Sequence, residues 1–340
     1  MCTSISFNTT NHFFGRNLDV THSYSEAITI TPRNFPFHFR CYPDICSHYA
    51  IIGMAVVIND YPLYFDATNE VGLSIAGLNF PDNAHYFPFK ENMDNITPYE
   101  LIPWILSTCS SVEEVKIKLS NINLLDMAFN ENLPLTPLHW HIADKHNSIT
   151  LESTKEGVMF YDNPTGVLTN NPPFPIQLFN LNNYMNLSVA PPKNTFSSKL
   201  PLSLYSLGLG SLGLPGDYSS MSRFVKATFV KSHMEILSQY NMDVFLQSNV
   251  MTTLKTQKEP VSHLETVNVS QFFHILYSVA MPFGLVLTEQ NDYEYTSYSS
   301  CCNTDTGIYY YTTYLDRSIK AVAMNFQDLD SCKLIVHPLN

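Results

Sequence analysis

No run of about 18 consecutive apolar residues occurs in the 340-residue sequence, so nothing in it suggests a membrane-spanning helix. A basic segment followed by a short apolar stretch is likewise missing from its start, and the sequence therefore predicts a cytoplasmic protein without a secretory signal. Positive charge is scarce. Lys and Arg total 18 against 30 Asp and Glu, a formal net charge of -12, with no basic run able to follow a phosphate backbone. Nucleic acid is thereby excluded as an expected partner, and adsorption to an anionic membrane surface is disfavoured. The seven cysteines are odd in number and lack Cys-x-x-Cys pairs, which argues against a disulfide framework or a zinc ribbon and predicts mostly buried thiols.

What the chain does contain is enough for a large core, with 45% hydrophobic residues and no apparent linker. One domain spanning 1–340 is expected. Strand signals rich in β-branched and aromatic residues run from Ile5 to Phe14, Tyr49 to Ile58, Leu73 to Asn79, Ile149 to Ser153, Val158 to Tyr161 and Ile308 to Met324. The polar connector Thr154-Lys155-Glu156-Gly157 predicts a hairpin between two of them. Helical spacing follows the capping-box pattern at Ser111 and Glu114, recurs at Met221, Phe224, Val225 and Phe229, and again at Phe272, Phe273, Leu276 and Val279. Strands, then helices, then strands, without βαβ alternation, predict an α+β architecture of antiparallel sheets covered by helices.

Position 2 carries the sharpest chemical signal. Removal of Met1 ahead of a small residue would leave Cys2 holding a thiol and a free α-amine together. Such an amine titrates at roughly 7.7 to 8.0, so it can take the thiol proton, and the thiolate attacks. A Met-Cys opening also arises by accident. The segment Phe13-Phe14-Gly15-Arg16-Asn17-Leu18-Asp19 adds weight, because a hairpin return would bring Arg16 to the thiolate and Asp19 to the amine. A surface ion pair beside a turn is the competing reading.

Met1-Cys2-Thr3, Gly15-Arg16-Asn17-Leu18-Asp19, Ala76-Gly77-Leu78-Asn79-Phe80, Gly166-Val167-Leu168-Thr169-Asn170 and Ser222-Arg223-Phe224 together resemble the choloylglycine hydrolases. The likeness runs from Met1 to about Pro338 in the family's order. It implies a four-layer αββα sandwich of the N-terminal nucleophile (Ntn) type, assembly as a homotetramer, and no metal or organic cofactor. It also implies an amidase that cleaves glycine- or taurine-conjugated bile salts, with penicillin V or another acyl amide as the alternative substrate. By correspondence Cys2 is the nucleophile, Arg16 and Asp19 set its environment, Asn79 and Asn170 stabilise the oxyanion, and Arg223 completes the polar site. Asn79 in Gly-Leu-Asn-Phe-Pro resembles the bile salt branch, whereas penicillin V acylases often carry Tyr there. Leu18, Tyr24, Ile58, Phe129 and Leu133 are the corresponding candidates for an apolar steroid surface; each could instead be ordinary core, and Ile58, late in an apolar strand, reads first as core. Lys226 departs from the family's pattern, in which a second Arg often follows Arg223. Without the resemblance, Asn170-Asn171-Pro172-Pro173 would pass for a strand-ending turn.

Other features keep plainer readings. His139-Trp140-His141 places two imidazoles on one side of a strand near Asp144, yet no third ligand follows at metal-binding spacing. Cys301-Cys302 points to opposite faces of a strand and suits packing. Gly208, Gly210 and Gly213 match a dinucleotide fingerprint in letters alone, with no βαβ unit around them. A steroid- or acyl-binding protein without turnover is the expectation of a different class, against which the intact polar residues speak.

Overall fold

The computed structural model describes residues 1–237 and 254–339. Its elements begin with strands β1 (Cys2–Asn8), β2 (His12–Val20), β3 (Ala27–Thr31), β4 (Ile51–Ile58), β5 (Tyr61–Asn69), β6 (Ser74–Asn79) and β7 (Asp94–Ile96). Helices α1 (Leu101–Leu106) and α2 (Val112–Leu119) precede β8 (Ile122–Leu124), β9 (Leu138–Ala143), β10 (Ser148–Thr154), β11 (Gly157–Asp162) and β12 (Val167–Leu168). Then come α3 (Phe174–Asn180), α4 (Ser220–Leu237) and α5 (His263–Tyr277). The chain returns to strands in β13 (Val286–Leu287), β14 (Tyr293–Asn303), β15 (Ile308–Thr313), β16 (Lys320–Ala323) and β17 (Ile335–Pro338).

Two antiparallel sheets form the centre. One has the order β12-β1-β2-β14-β15-β16, with β13 added beside β14, and the other has the order β11-β10-β9-β6-β5-β4-β3-β17. Helices α1 and α2 cover the outer face of the second sheet, where Trp104, Ile105, Val112 and Val115 pack with Ile75, Trp140, Ile142 and Leu151. Phe224, Phe272 and Phe273 of α4 and α5 pack with Ile5 and Phe7 of the first. The result is helix, sheet, sheet, helix. Alternation along each strand explains it, since each sheet needs one apolar face for helices and another for its partner.

The space between the sheets is partly polar. Asp66 on β5 receives the hydroxyls of Tyr298 at 2.6 Å, Tyr309 at 2.7 Å and Ser300 at 3.1 Å from the opposite sheet. A carboxylate buried here is tolerable only because several donors converge on it. Such bonds clamp the sheets at one register.

Local readings mostly survive. Thr154 pairs with Gly157, so a two-residue turn joins β10 and β11 as the connector predicts. Ser111 caps α2 through Glu114 N at 3.3 Å, but Glu114 reaches back to Ser110 N at 2.6 Å, one residue before the cap. The expected strand from Ile5 to Phe14 is instead two strands, because Thr9 and Asn11 close a tight turn and the chain folds back on itself. The segment Ile308 to Met324 likewise breaks into β15 and β16. Helix α5 starts at His263, earlier than the aromatic spacing suggests, because the Ser262 side chain caps it on Glu265 N.

Among the imidazoles in this interior, His12 and His141 are held by hydroxyl groups. His12 sits 2.8 Å from Ser6 Oγ and 2.9 Å from Thr304 Oγ1. His141 bridges Ser4 Oγ at 2.7 Å and Ser148 Oγ at 2.8 Å. Burial lowers His12 from 6.5 to about 4 and His141 from 6.5 to about 3. The unfolded chain therefore binds more protons than the folded one below 6.5. Stability from these groups is complete above that value and drains away as pH falls through the two folded values. Urea denaturation between about pH 7 and pH 4 is expected to show a falling midpoint. In NMR titrations, two histidines should show no protonation shift until well below about pH 5; ordinary titration of all of them would contradict the assignment.

Candidate active site

The antiparallel register of β1 and β2 opposes Cys2 to Leu18, Thr3 to Asn17 and Ser4 to Arg16. Opposed residues share a face, so Cys2, Ser4, Arg16 and Leu18 look toward the second sheet, and Thr3, Asn17 and Asp19 look toward α4 and α5. Close pairing of β2 with β14 requires Gly15, where a Cβ would lie 2.0 Å from the Ser300 carbonyl oxygen. That glycine lets the next residue, Arg16, reach the interior.

On the inner face, Arg16 is fully buried and donates from Nη1 to the carbonyls of Phe65 at 2.9 Å and Gly77 at 2.6 Å. Burial opposes its charge, but Cys2, Tyr298, Asp66 and Asp19 outweigh it and raise the guanidinium above its ordinary value. Cys2 is itself buried, at 4% exposure. A fixed cation thus lies within electrostatic reach of the Cys2 side chain.

The helix-side face carries the second cluster. Arg223, in the first turns of α4, donates from Nη1 to Cys2 O at 2.5 Å and Thr3 Oγ1 at 2.7 Å, and from Nη2 to Asn170 Oδ1 at 2.7 Å. Its Nη1 stands 3.9 Å from Asp19 Oδ2, and Asp19 Oδ1 accepts from Thr296 Oγ1 at 2.6 Å. Burial raises Asp19 and lowers Arg223; their mutual attraction opposes both shifts without cancelling the loss of water. Asp19 Oδ2 has no hydrogen-bond partner among the described residues.

Asn170 joins these parts. Its Oδ1 accepts from the Cys2 nitrogen at 2.8 Å as well as from Arg223, and its Nδ2 donates to Asn79 O at 2.7 Å. With two donors aimed at one atom and a carbonyl at the other, the amide can sit only one way round. Asn79 itself is partly exposed at the end of β6. Beyond Cys2, the Met1 ammonium donates to Asp19 O at 2.8 Å and to Glu294 Oε1 at 2.9 Å.

All six polar positions singled out in the sequence, Cys2, Arg16, Asp19, Asn79, Asn170 and Arg223, therefore belong to one constellation. The apolar candidates divide. Leu18 lies beside Cys2, and Tyr24, 45% exposed, has its ring 5.9 Å from that of Phe65, the residue whose carbonyl Arg16 binds. Ile58 and Phe129 gather instead around Tyr61, at the turn end of β4 and β5, with Leu133 bridged to Asn130 in the following loop. Ile58 is partly exposed there, which corrects its reading as core: strand β4 runs out of cover before it ends.

Several residues that hold the site gave no signal in the sequence. Gln177 Nε2 donates to Asn170 O at 2.5 Å, and Ser220 Oγ accepts from Asn170 N at 2.8 Å. Thr296 and Glu294 come from β14, nearly three hundred residues from the groups they touch. Ordinary Gln, Ser and Thr residues acquire such roles only when the fold brings distant segments together. Among the described residues, no group of three or more His, Cys, Asp or Glu could hold a metal, and His139 and His141 bind other partners.

Comparison with known proteins places this geometry. Residues 2–264 and 254–337 match the family described as linear amide C–N hydrolases, choloylglycine hydrolase family. A bile salt hydrolase/transferase of Lactiplantibacillus plantarum is 51% identical over 100% of this chain and 97% of its own length. A crystal structure of a variant of conjugated bile acid hydrolase from Clostridium perfringens is 36% identical, superposes with a TM-score of 0.85, and is matched over 100% of this chain and 97% of that one. Penicillin V acylase from Agrobacterium tumefaciens shares the fold, with a TM-score of 0.72 at 16% identity over 98% of this chain and 90% of that chain. The four layers are accordingly those of the Ntn hydrolases.

Arg223 offers the sharpest test of the cluster, because its removal strands Asp19 as a buried charge and takes a donor from the Tyr218 and Cys2 carbonyls, the Thr3 hydroxyl and Asn170 Oδ1. Arg223→Met is expected to destabilise the fold by about 3 to 5 kcal/mol in chemical denaturation, as for other broken buried ion pairs. A loss below about 1 kcal/mol would mean that water reaches the cluster.

Proposed function

The chain belongs to the choloylglycine hydrolase family of linear amide C–N hydrolases, and from that premise we propose that it cleaves conjugated bile salts with Cys2 as nucleophile. The observation that carries the reading is the Cys2 nitrogen, held 2.8 Å from Asn170 Oδ1 inside the buried ring formed with Arg223. Once Met1 is removed, that nitrogen becomes an α-amine with its lone pair beside its own thiol. The near-identical length and 51% identity to the Lactiplantibacillus plantarum hydrolase/transferase support the substrate class.

The chemistry follows from the placement. The α-amine takes the thiol proton, and sulfur attacks the amide carbon of the substrate while Arg16 favours the anionic sulfur. Negative charge then gathers on the carbonyl oxygen. The Asn79 side-chain amide and the second Nδ2 hydrogen of Asn170 supply donors for it, each worth about 2.7 to 4 kcal/mol in such sites. As the C–N bond breaks, the ammonium of Cys2 returns its proton to the departing glycine or taurine nitrogen. Water, deprotonated by the same amine, next opens the thioester to free bile acid and restores the thiol. An amine in place of water would give the transfer that the relatives' names include.

On this reading Leu18 and Tyr24 would support the steroid body beside the nucleophile, and Ile58, Phe129 and Leu133 would offer a second apolar patch at the turn end of β4 and β5. The single unit 1–340 would act without metal or organic cofactor. Assembly as a cytoplasmic homotetramer is part of the same reading, and exposed apolar side chains such as Phe196, Tyr205 and Leu207 on the segment between α3 and α4 suit burial between subunits. No helix among the described residues is long and apolar enough to cross a membrane.

Incubation with glycocholate, taurocholate and penicillin V, with the released amine quantified, is expected to show turnover of the bile salts. Turnover of penicillin V alone would reassign the substrate, and no turnover with intact ligand binding would favour a binding protein. Cys2→Ala should abolish hydrolysis. Asn79→Ala should lower kcat by about 100- to 1,000-fold, as loss of one oxyanion donor does elsewhere. Intact mass of the active protein should lack Met1; full activity with Met1 attached would remove the α-amine from the mechanism.

A further inference from the structure

His139 belongs to none of the roles assigned so far, yet it touches both asparagine-bearing segments. It is fully buried on β9, and its ring lies flat on Phe80, with centroids 4.3 Å apart and planes within 6°. Phe80 directly follows Asn79. Its Nε2 sits 2.9 Å from the carbonyl oxygen of Thr169, the residue directly before Asn170. A carbonyl only accepts, so Nε2 carries the hydrogen.

The other ring nitrogen continues the chain of contacts. Nδ1 lies 3.3 Å from Glu152 Oε1, a carboxylate 1% exposed that also accepts the backbone N–H of Phe174 at 2.8 Å. Phe174 opens α3, and one turn later Gln177 holds the Asn170 carbonyl. Thus Glu152, through His139 on one side and α3 on the other, grips the Asn170 loop from both ends. The Asn170 Nδ2 bond to Asn79 O, at 2.7 Å, then depends on a separation that these contacts set.

We propose that His139, oriented by Glu152, is a positioning residue that fixes Asn79 and Asn170 at the spacing needed to receive the oxyanion. The inference rests on the amidase reading above. Alignment is separated from binding, because the hydrogen bonds and ring stacking of the imidazole go to Thr169, Glu152 and Phe80, which support the two donors, and not to the apolar candidates for the steroid surface. Loosening the Thr169 carbonyl would move the amide of Asn170 relative to the reacting carbon, and displacements of about 1 Å at such donors cost about 100-fold in rate.

The test compares three forms with glycocholate as substrate. His139→Phe keeps a flat ring against Phe80 and loses the bond to the Thr169 carbonyl and the polar contact with Glu152, whereas His139→Gln retains an amide donor at the position of Nε2. Expected are a kcat reduced by about 10- to 100-fold in H139F with KM within about twofold of wild type, and recovery to within about threefold of wild-type kcat in H139Q. Unchanged kcat in folded H139F, a rise in KM at constant kcat, or an H139Q as slow as H139F would each overturn the assignment. Should H139F not fold, H139N takes its place, since its shorter amide falls short of the Thr169 carbonyl and the same loss of kcat is expected. Wild-type protein inert toward glycocholate would instead defeat the amidase reading, so the two failures are distinguishable.

Discussion

One oxygen atom organises the site: Oδ1 of Asn170, which accepts from the Cys2 nitrogen at 2.8 Å and from the Arg223 guanidinium at 2.7 Å. Because that oxygen is committed, the amide nitrogen must face Asn79, and because Arg223 is drawn to it, the guanidinium also reaches the Cys2 carbonyl and Thr3 hydroxyl. Strand β1, the loop after β12, the end of β6 and the start of α4 are thereby locked to one another. Moving any of them would leave a buried donor or acceptor without a partner, which costs more than the bond itself contributes.

The surrounding interior obeys the same constraint. Arg16, Arg223, Asp19 and Asp66 are all buried, and loss of water acts against every one of these charges. Such groups are retained at a cost in stability, since well-packed apolar residues would often serve the fold equally well or better. What they supply is a fixed electrostatic field around the chain's second residue. Arg16 addresses the thiol from the inner face, while Asp19 and Arg223 address the main chain from the helix side, so sulfur and nitrogen of the same residue meet different environments. A nucleophile whose base is its own amine needs that division.

The local signals in the sequence were legible wherever a few neighbouring residues decided the outcome. The turn at Lys155-Glu156, the cap at Ser111 and the apolar spacing of α4 depend on adjacent chemistry, and each appears where its residues predict it. The run from Ile5 to Phe14 misled because β-branched and aromatic residues continue on both sides of the turn at Thr9 to Asn11, and periodicity alone cannot see the chain reverse. The strand β14, which supplies Thr296 and Glu294 to the site and Tyr298 to Asp66, is rich in Tyr, Ser and Thr, a composition that does not separate a buried strand from a surface segment.

By itself, then, the sequence determined the layered α+β class and the thiol at position 2, which rest on residue chemistry, whereas Asn79, Asn170 and Arg223 were singled out through motifs that resemble the family's. An odd spacing puts Arg16 and Asp19 on opposite faces of any continuous strand, but tertiary structure alone decided which face meets the second sheet and which meets α4 and α5. It alone recruited Gln177, Ser220, Thr296 and His139. Their hydrogen bonds span long separations in the chain, and the energy that selects them comes from burial, which no stretch of sequence contains until the sheets have closed over it.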